Sequence, residues 1–356
     1  MTSPHSIGPV GDRVSFTLLT GFLGSGKTTV LREVLRLPDM AGTAVVVNEF
    51  GEVGLDHLLL EATEEDVVLL QSGCLCCSMR ADLVDALERL EHRRAKGELP
   101  PFDRVVIETT GLADPAPVLQ TIVQDPELGR SYALDGVLTV VDGFNGLATL
   151  ERHHESRKQV AVADRILLTK LDLCDEVGDG AARRAALEAA LDQLNPSAPR
   201  IRVDHGKVDR GLLFDVALFG RHDERPDVDG WLRDEALGRD APADAGHPHD
   251  AGIESFCVTY DAPIPFRVFQ AWYEALLEFK GPQLLRVKGI LDVQESPVPI
   301  VIHSVQHAVH PPVALDAWPS GDRRSRIVFI TQGIDEAQVD AAFEAALARL
   351  ARAEAR

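Results

Sequence analysis

The sequence predicts a doubly wound, mostly parallel α/β sheet followed by a smaller α+β domain. Three observations carry that expectation. Short apolar runs alternate with amphipathic stretches from residue 14 to about 205. A glycine-rich turn joins the first strand to the first helix. The alternation then breaks before a strand-rich segment begins near residue 252. Expected strands of the first domain are 14–20, 43–48, 66–71, 103–108, 135–141, 164–169 and 200–203. The strongest helical patterns are 27–37, 79–94, 115–123 and 180–194. In the first helix, Val30, Leu31, Val34 and Leu35 recur at the spacing of one helical face.

The domain boundaries follow from composition. Residues 1–13 are polar, contain Pro and Gly, and read as a flexible N-terminus; 14–220 form the first domain. Residues 221–250 carry nine acidic and four basic charges with Pro226, Pro242 and Pro248, so 221–251 reads as an acidic linker. Residues 252–356 then order as strand 253–260, helix 266–279, strands 284–293, 298–309 and 325–331, and helix 335–351.

Of the 356 residues, 45% are hydrophobic, which suits a globular chain with two cores. No apolar run approaches the ~18 residues of a membrane span, and no apolar stretch near the start resembles a secretory signal. A cytoplasmic location is the expectation. The net charge of −20 argues against a nucleic-acid partner, whose phosphates demand basic surfaces. Of five cysteines, three crowd into one turn, a pattern of metal binding or thiol chemistry rather than of a disulfide framework.

The turn is Gly21-Phe22-Leu23-Gly24-Ser25-Gly26-Lys27-Thr28-Thr29, a complete phosphate-binding loop between strand and helix. Its glycines let backbone N–H groups converge on phosphate at a helix N-terminus. Lys27 is placed to reach the β- and γ-phosphates and the Thr28 hydroxyl to bind Mg²⁺. The motif implies a nucleoside triphosphate ligand and a P-loop NTPase type of sheet. Four further polar clusters follow strand ends, and in such sheets ligands bind along that edge. The first is Asn48-Glu49-Phe50-Gly51-Glu52, a candidate switch loop in which Glu49 is a Mg²⁺ candidate and Glu52 a further metal candidate. Next come Gly73-Cys74-Leu75-Cys76-Cys77, Glu108-Thr109-Thr110-Gly111 and Thr169-Lys170-Leu171-Asp172.

Glu108 ends a buried β run, the position that orients Mg²⁺ or attacking water, and with Lys27 it is the catalytic candidate. Gly111 can bring a backbone N–H to the γ-phosphate and move when that phosphate leaves. Thr169-Lys170-Leu171-Asp172 resembles the guanine-reading N-K-x-D sequence, with Asp172 accepting from guanine's N1–H and amine, which favours guanine over adenine. Thr169 stands where the pattern has Asn and removes an amide that braces the loop. Cys74, Cys76 and Cys77 can converge on one soft cation, zinc or Cu(I), with a fourth position open. Buried apolar packing and a redox thiol cluster are the competing readings. Cys174 and Cys257 stand alone. His247 and His249 form a linker pair, His303 and His307 share a face of the strand 298–309, and His153 and His154 read as helix surface.

Taken together, these motifs resemble the CobW family (CobW/HypB/UreG type) of metal-handling GTPases, over about 14–350. Gly21 to Thr29, Val47-Asn48-Glu49-Phe50-Gly51-Glu52-Val53-Gly54 and the Cys74-x-Cys76-Cys77 turn carry the likeness. So do Glu108-Thr109-Thr110-Gly111-Leu112-Ala113-Asp114-Pro115, Thr169-Lys170-Leu171-Asp172, Leu285-Arg286-Val287-Lys288-Gly289 and Val305-Gln306-His307. The resemblance implies a GTPase using GTP, Mg²⁺ and Zn²⁺ (or Co²⁺), with a C-terminal CobW-type domain that meets a client metalloprotein or a second subunit. Metal delivery is one implied role; a redox-responsive or scaffold GTPase in cobalamin or nitrile hydratase maturation is the other. The linker has few histidines, which departs from members with long histidine tracts and speaks against metal storage.

Overall fold

The structure, a computed structural model, describes residues 13–37, 40, 42–47, 69–71, 79–214 and 252–354. These form two compact units, one on each of two sheets.

The first unit is a seven-stranded parallel sheet. Its strands are β1 (Val14–Gly21), β2 (Thr43–Val47), β3 (Leu69–Gln71), β4 (Arg104–Glu108), β5 (Tyr132–Asp142), β6 (Arg165–Thr169) and β7 (Arg200–Arg202). The spatial order is β3-β2-β4-β1-β5-β6-β7. Central strands of such a sheet are covered on both faces, and β1 and β4 are buried almost end to end. The helices are α1 (Lys27–Leu35), α2 (Met79–Ala95), α3 (Pro115–Gln124), α4 (Leu128–Ser131), α5 (Gly146–Arg152), α6 (His154–Ala161), α7 (Asp172–Asp175) and α8 (Gly180–Leu194). On one face Val30, Leu31 and Val34 of α1 pack with Leu19, Val45, Val106 and Leu138 of the strands.

Register fixes where the chemistry gathers. Gln71 pairs with Val47, Val47 with Glu108, and Glu108 with Leu19. The carboxyl ends of β3, β2, β4 and β1 therefore lie in one row, beside the loop that begins at Gly21.

In the second unit, β8 (Ile253–Tyr260), β9 (Leu284–Leu291), β10 (Ile300–Val305), β11 (Ala308–Val309), β12 (Val313–Ala314) and β13 (Ser325–Gln332) make an antiparallel sheet. Helices α9 (Phe266–Lys280) and α10 (Glu336–Glu354) supply Trp272, Tyr273 and Phe343 to a core with Phe256, Val287 and Phe329. Here the expected strand 298–309 is corrected. It is a hairpin, β10 and β11, turning at Gln306, whose φ of 49° is left-handed. His303 thus sits on β10 while His307 lies in the turn, and the two do not share a strand face. The His303 ring instead stacks on His310 at 4.8 Å, with Arg286 Nη2 3.2 Å from its Nε2.

Candidate functional site

The loop Gly21–Gly26 is built by backbone geometry. Gly21, Gly24 and Gly26 have φ of 142°, 73° and 99°, values that side chains other than glycine's rarely permit. A Cβ on Gly21 would meet Val140 O of β5 at 2.3 Å, so the loop lies hard against its neighbouring strand. Lys27 opens α1 and is buried. Its ammonium donates to Gly21 O (2.9 Å) and Phe22 O (3.3 Å), which folds the loop around it. The hydroxyl of Ser25 is buried without a hydrogen-bond partner, as is that of Thr110 in the facing loop. Buried polar groups of this kind are normally satisfied, and a phosphate oxygen is the acceptor both would suit.

Thr28 Oγ1 donates to Glu108 Oε1 at 2.8 Å, and Glu108 is 5% exposed at the end of β4. This is a pair of hard oxygen ligands, the donor set Mg²⁺ takes, so the residues fit the ion the motif calls for. Beyond Glu108, Thr109 donates to Thr20 Oγ1 (2.9 Å) and Gly111 approaches the phosphate loop. A Cβ on Gly111 would lie 2.6 Å from Leu23 N and 2.8 Å from Leu23 Cα. These are backbone atoms and cannot give way cheaply. Gly111→Ala therefore forces the two loops apart. We expect it to lower nucleotide turnover about 100-fold, as a misplacement of ~1 Å does, while leaving nucleoside diphosphate affinity nearly unchanged. Phosphate release beside a diphosphate titration checks this; equal losses in both would count against a loop-specific effect.

Thr169, expected to remove a brace, supplies one instead. Its hydroxyl donates to Ser25 O at 2.7 Å, tying the end of β6 to the phosphate loop. Lys170 has φ 53° and arches back, donating to Gly24 O (2.6 Å) and to Asp142 Oδ2 (2.8 Å). Asp142 ends β5 and follows an apolar strand as the other clusters do, although no motif in the sequence marks it. Burial alone would raise its carboxyl; the hydrogen bonds from Lys170 and Asn145 outweigh that and hold it below the usual carboxylate range. Stability from a depressed carboxyl is complete above about pH 4 and is lost as pH falls through the folded value. Asp142→Asn should therefore lower Tm by about 2–4 °C at pH 7, a modest effect because Lys170 is partly exposed. The gap to wild type should close in thermal scans stepped below pH 4; a gap that persists there would remove the ion pair as its cause.

His153, read as helix surface, is half-buried and stacks on Phe22 of the phosphate loop at 4.4 Å. Asp114 caps α3 through Ala116 N and pairs with Lys158 at 3.2 Å. Cys174 is buried and Cys257 half-buried. The expected ligands Cys74, Cys76, Cys77, Glu49 and Glu52, and the His247–His249 pair, lie outside the described residues. Among the described residues no three His, Cys, Asp or Glu side chains group to hold a metal, and no helix is long and apolar enough to cross a membrane.

A cavity of about 920 Å³ joins these groups, lined by Gly24, Gly26, Lys27, Thr28, Glu108, Thr110, Gly111 and Lys170. Its size suits a nucleotide. A parallel sheet with this loop, this lysine and this acidic strand end defines a P-loop nucleotide-binding protein. Comparison with known proteins narrows the class. Residues 15–202 match the CobW/HypB/UreG nucleotide-binding domain and 253–347 the cobalamin synthesis protein cobW C-terminal domain. The chain belongs to the CobW/HypB/UreG family. It is 36% identical over 337 residues to the zinc chaperone YjiA of Escherichia coli (strain K12), covering 93% of this chain and 98% of that one. It is 28% identical over 368 residues to a zinc chaperone CobW of Sinorhizobium sp, covering 94% and 97%. The crystal structure of the Zn(II)-bound YjiA GTPase from E. coli superposes with a TM-score of 0.70 at 30% identity, covering 94% of this chain and 98% of that one.

Proposed function

We propose that this protein is a GTP-hydrolysing metallochaperone that binds Zn²⁺ at Cys74, Cys76 and Cys77 in a GTP-dependent way and delivers it to a client metalloprotein. The chain is a GTPase of its family. The observation that carries the rest is the register row: β3, whose end at Gln71 is three residues before Cys74, is in line with β2 and with β4, which ends in Glu108. The relatives YjiA and CobW, named zinc chaperones, support zinc as the cargo. Three thiolates leave zinc one open position, which suits a carrier better than a structural site.

In this reading the residues around the cavity divide the hydrolytic step among them. The phosphate loop and Lys27 bind the β- and γ-phosphates and stabilise charge as the bond between them breaks. Glu108 orients the water whose oxygen forms the new bond to the γ-phosphorus. Thr28 and Glu108 would hold Mg²⁺, which when bound would neutralise phosphate charge. Lys170 and Thr169 position the segment from which Asp172 reads guanine. Loss of the γ-phosphate releases the loop at Gly111, and the Glu49–Glu52 segment with it, loosening the thiolate site.

The client, or a second copy of this chain, meets the CobW-type C-terminal domain. Leu23 and Leu112, 59% and 52% exposed at the phosphate end of the cavity, offer a partner an apolar foothold where the nucleotide state is legible. A reducing cytoplasm would keep the three thiols free for metal. The test is zinc affinity by competition with a chromophoric chelator, without nucleotide, with Mg·GTP and with Mg·GDP. Tight one-to-one binding with GTP, lost when Cys74, Cys76 and Cys77 become alanine, is expected. Affinity indifferent to nucleotide would break the coupling.

A further inference from the structure

The loop from Glu108 to Asp114, which carries Gly111, is held in place from one side by α6. Gln159 of α6 is fully buried, and its Nε2 donates to two loop carbonyls, Gly111 O at 3.2 Å and Ala113 O at 3.1 Å. One residue earlier, Lys158 Nζ meets Asp114 Oδ2 at 3.2 Å. The helix is itself tied down, since Thr139 Oγ1 of β5 donates to Gln159 O at 2.7 Å. The amide orientation is unambiguous: two carbonyl acceptors require the NH₂ end to face them. The cost falls on the other end, because Oε1 is buried with no hydrogen-bond partner. An orphaned buried acceptor weakens a fold, and an apolar side chain of this size would not carry it. The arrangement is therefore poorly explained as packing and well explained as control of the loop.

We propose that Gln159 is a positioning residue for GTP hydrolysis: by clamping alternate carbonyls of the 111–113 segment it sets the loop that answers to the γ-phosphate. A trans peptide unit points its C=O and N–H oppositely, so drawing Gly111 O toward α6 turns Leu112 N–H away from the helix. Two donors on one rigid amide also fix the spacing of the two peptide planes. The hydrogen bonds of Gln159 go to Gly111, Ala113 and Thr139, and not to the phosphate loop or to Thr169, Lys170 or Asp172, which bind the rest of the nucleotide. Its influence therefore falls on the step that involves the γ-phosphate. The proposal rests on the GTPase reading above, and wild-type turnover tests that reading separately.

The experiment compares the full chain with Gln159→Leu, Gln159→Glu and Lys158→Met, measuring phosphate release, KM for GTP and GDP affinity from pH 5.5 to 8.5. Leucine removes both donors; kcat should fall about 100-fold while KM and GDP affinity change less than about threefold. A buried glutamate beside two carbonyls has a raised pKa and regains one donor only when protonated. The Gln159→Glu variant should therefore recover turnover as pH falls, relative to wild type over the same range. Lys158→Met, at the surface end of the clamp, should lower kcat about threefold with GDP affinity intact, and it reports on the same loop if the buried variants do not fold. Parallel loss of GTP and GDP binding in folded variants, or a glutamate variant whose pH profile follows the wild type, overturns the proposal. So does an unchanged kcat in Lys158→Met when neither buried variant folds.

Discussion

Lys27→Ala lowers GTP turnover by about 1,000-fold, the upper end for loss of one preorganised donor at a developing charge. Two effects act together. In the structure the Lys27 ammonium bonds Gly21 O and Phe22 O, so the loop's own curvature depends on it. Lys27 is also only 8% exposed, and at so buried a position one positive charge offsets phosphate charge more strongly than in solvent. Alanine removes both the charge and the brace. GTP affinity should fall as well, and more than GDP affinity, if the lysine reaches the γ-phosphate as proposed. Stopped-flow binding with a fluorescent GTP analogue, beside a phosphate-release assay, separates the two losses. A variant retaining a tenth of wild-type turnover would place the catalytic charge elsewhere, with Lys170 as the next cation to test.

Much of this site was legible in the sequence because its signals are local. A G-x-x-x-x-G-K-T turn needs only the strand before it and the helix after it, and both stand where the periodicity puts them. The same holds for Glu108 and for Thr169 to Asp172, each at the end of an apolar run that became a strand. Asp142 obeys that rule too, but a lone Asp-Gly after a strand also fits an ordinary turn, and only the Lys170 contact distinguishes it. Gln159 carried still less signal. It sits in Gln159-Val160-Ala161-Val162-Ala163, where one polar residue among apolar ones gives no direction, and its partners are 46 and 48 residues away. Helices α4 to α7 span four to eight residues, about two turns at most, too few for an apolar period to register.

The His303 and His307 pairing failed for a different reason. An apolar run through residues 298–309 reads as one strand, and nothing in composition marks Gln306 as a residue that adopts a left-handed φ. The β10–β11 hairpin follows from pairing between Ser304 and Val309 and between Val305 and Ala308, which is a tertiary outcome. Thr169 is the reverse case. Replacing Asn by Thr removes an amide on paper, yet a hydroxyl at the end of β6 reaches Ser25 O at 2.7 Å. Proximity of β6 to the phosphate loop lets either donor, an amide or a hydroxyl, form the brace.

The largest effect we expect is on zinc. Mg·GTP should tighten zinc binding by about 10⁴ over Mg·GDP, because a carrier must move from nearly full retention to nearly full release. That swing corresponds to about 5.5 kcal/mol of differential binding. Hydrogen bonds to charged groups contribute on the order of 1.5–3 kcal/mol each, so about two to four contacts made only to the γ-phosphate suffice. On the proposed reading Gly111 and Thr110 make such contacts; β2 lies beside β4, the strand that leads to them, and β3 is next in line beyond β2. Reciprocity then gives a second, independent measurement. If GTP tightens zinc by a given factor, saturating zinc must tighten GTP by the same factor. The two titrations use different probes and must agree. Zinc affinity that rises with GTP while GTP affinity ignores zinc would violate linkage and expose chelation of zinc by the nucleotide itself. Equal indifference on both sides would leave the protein a GTPase whose cysteine turn serves structure or redox chemistry.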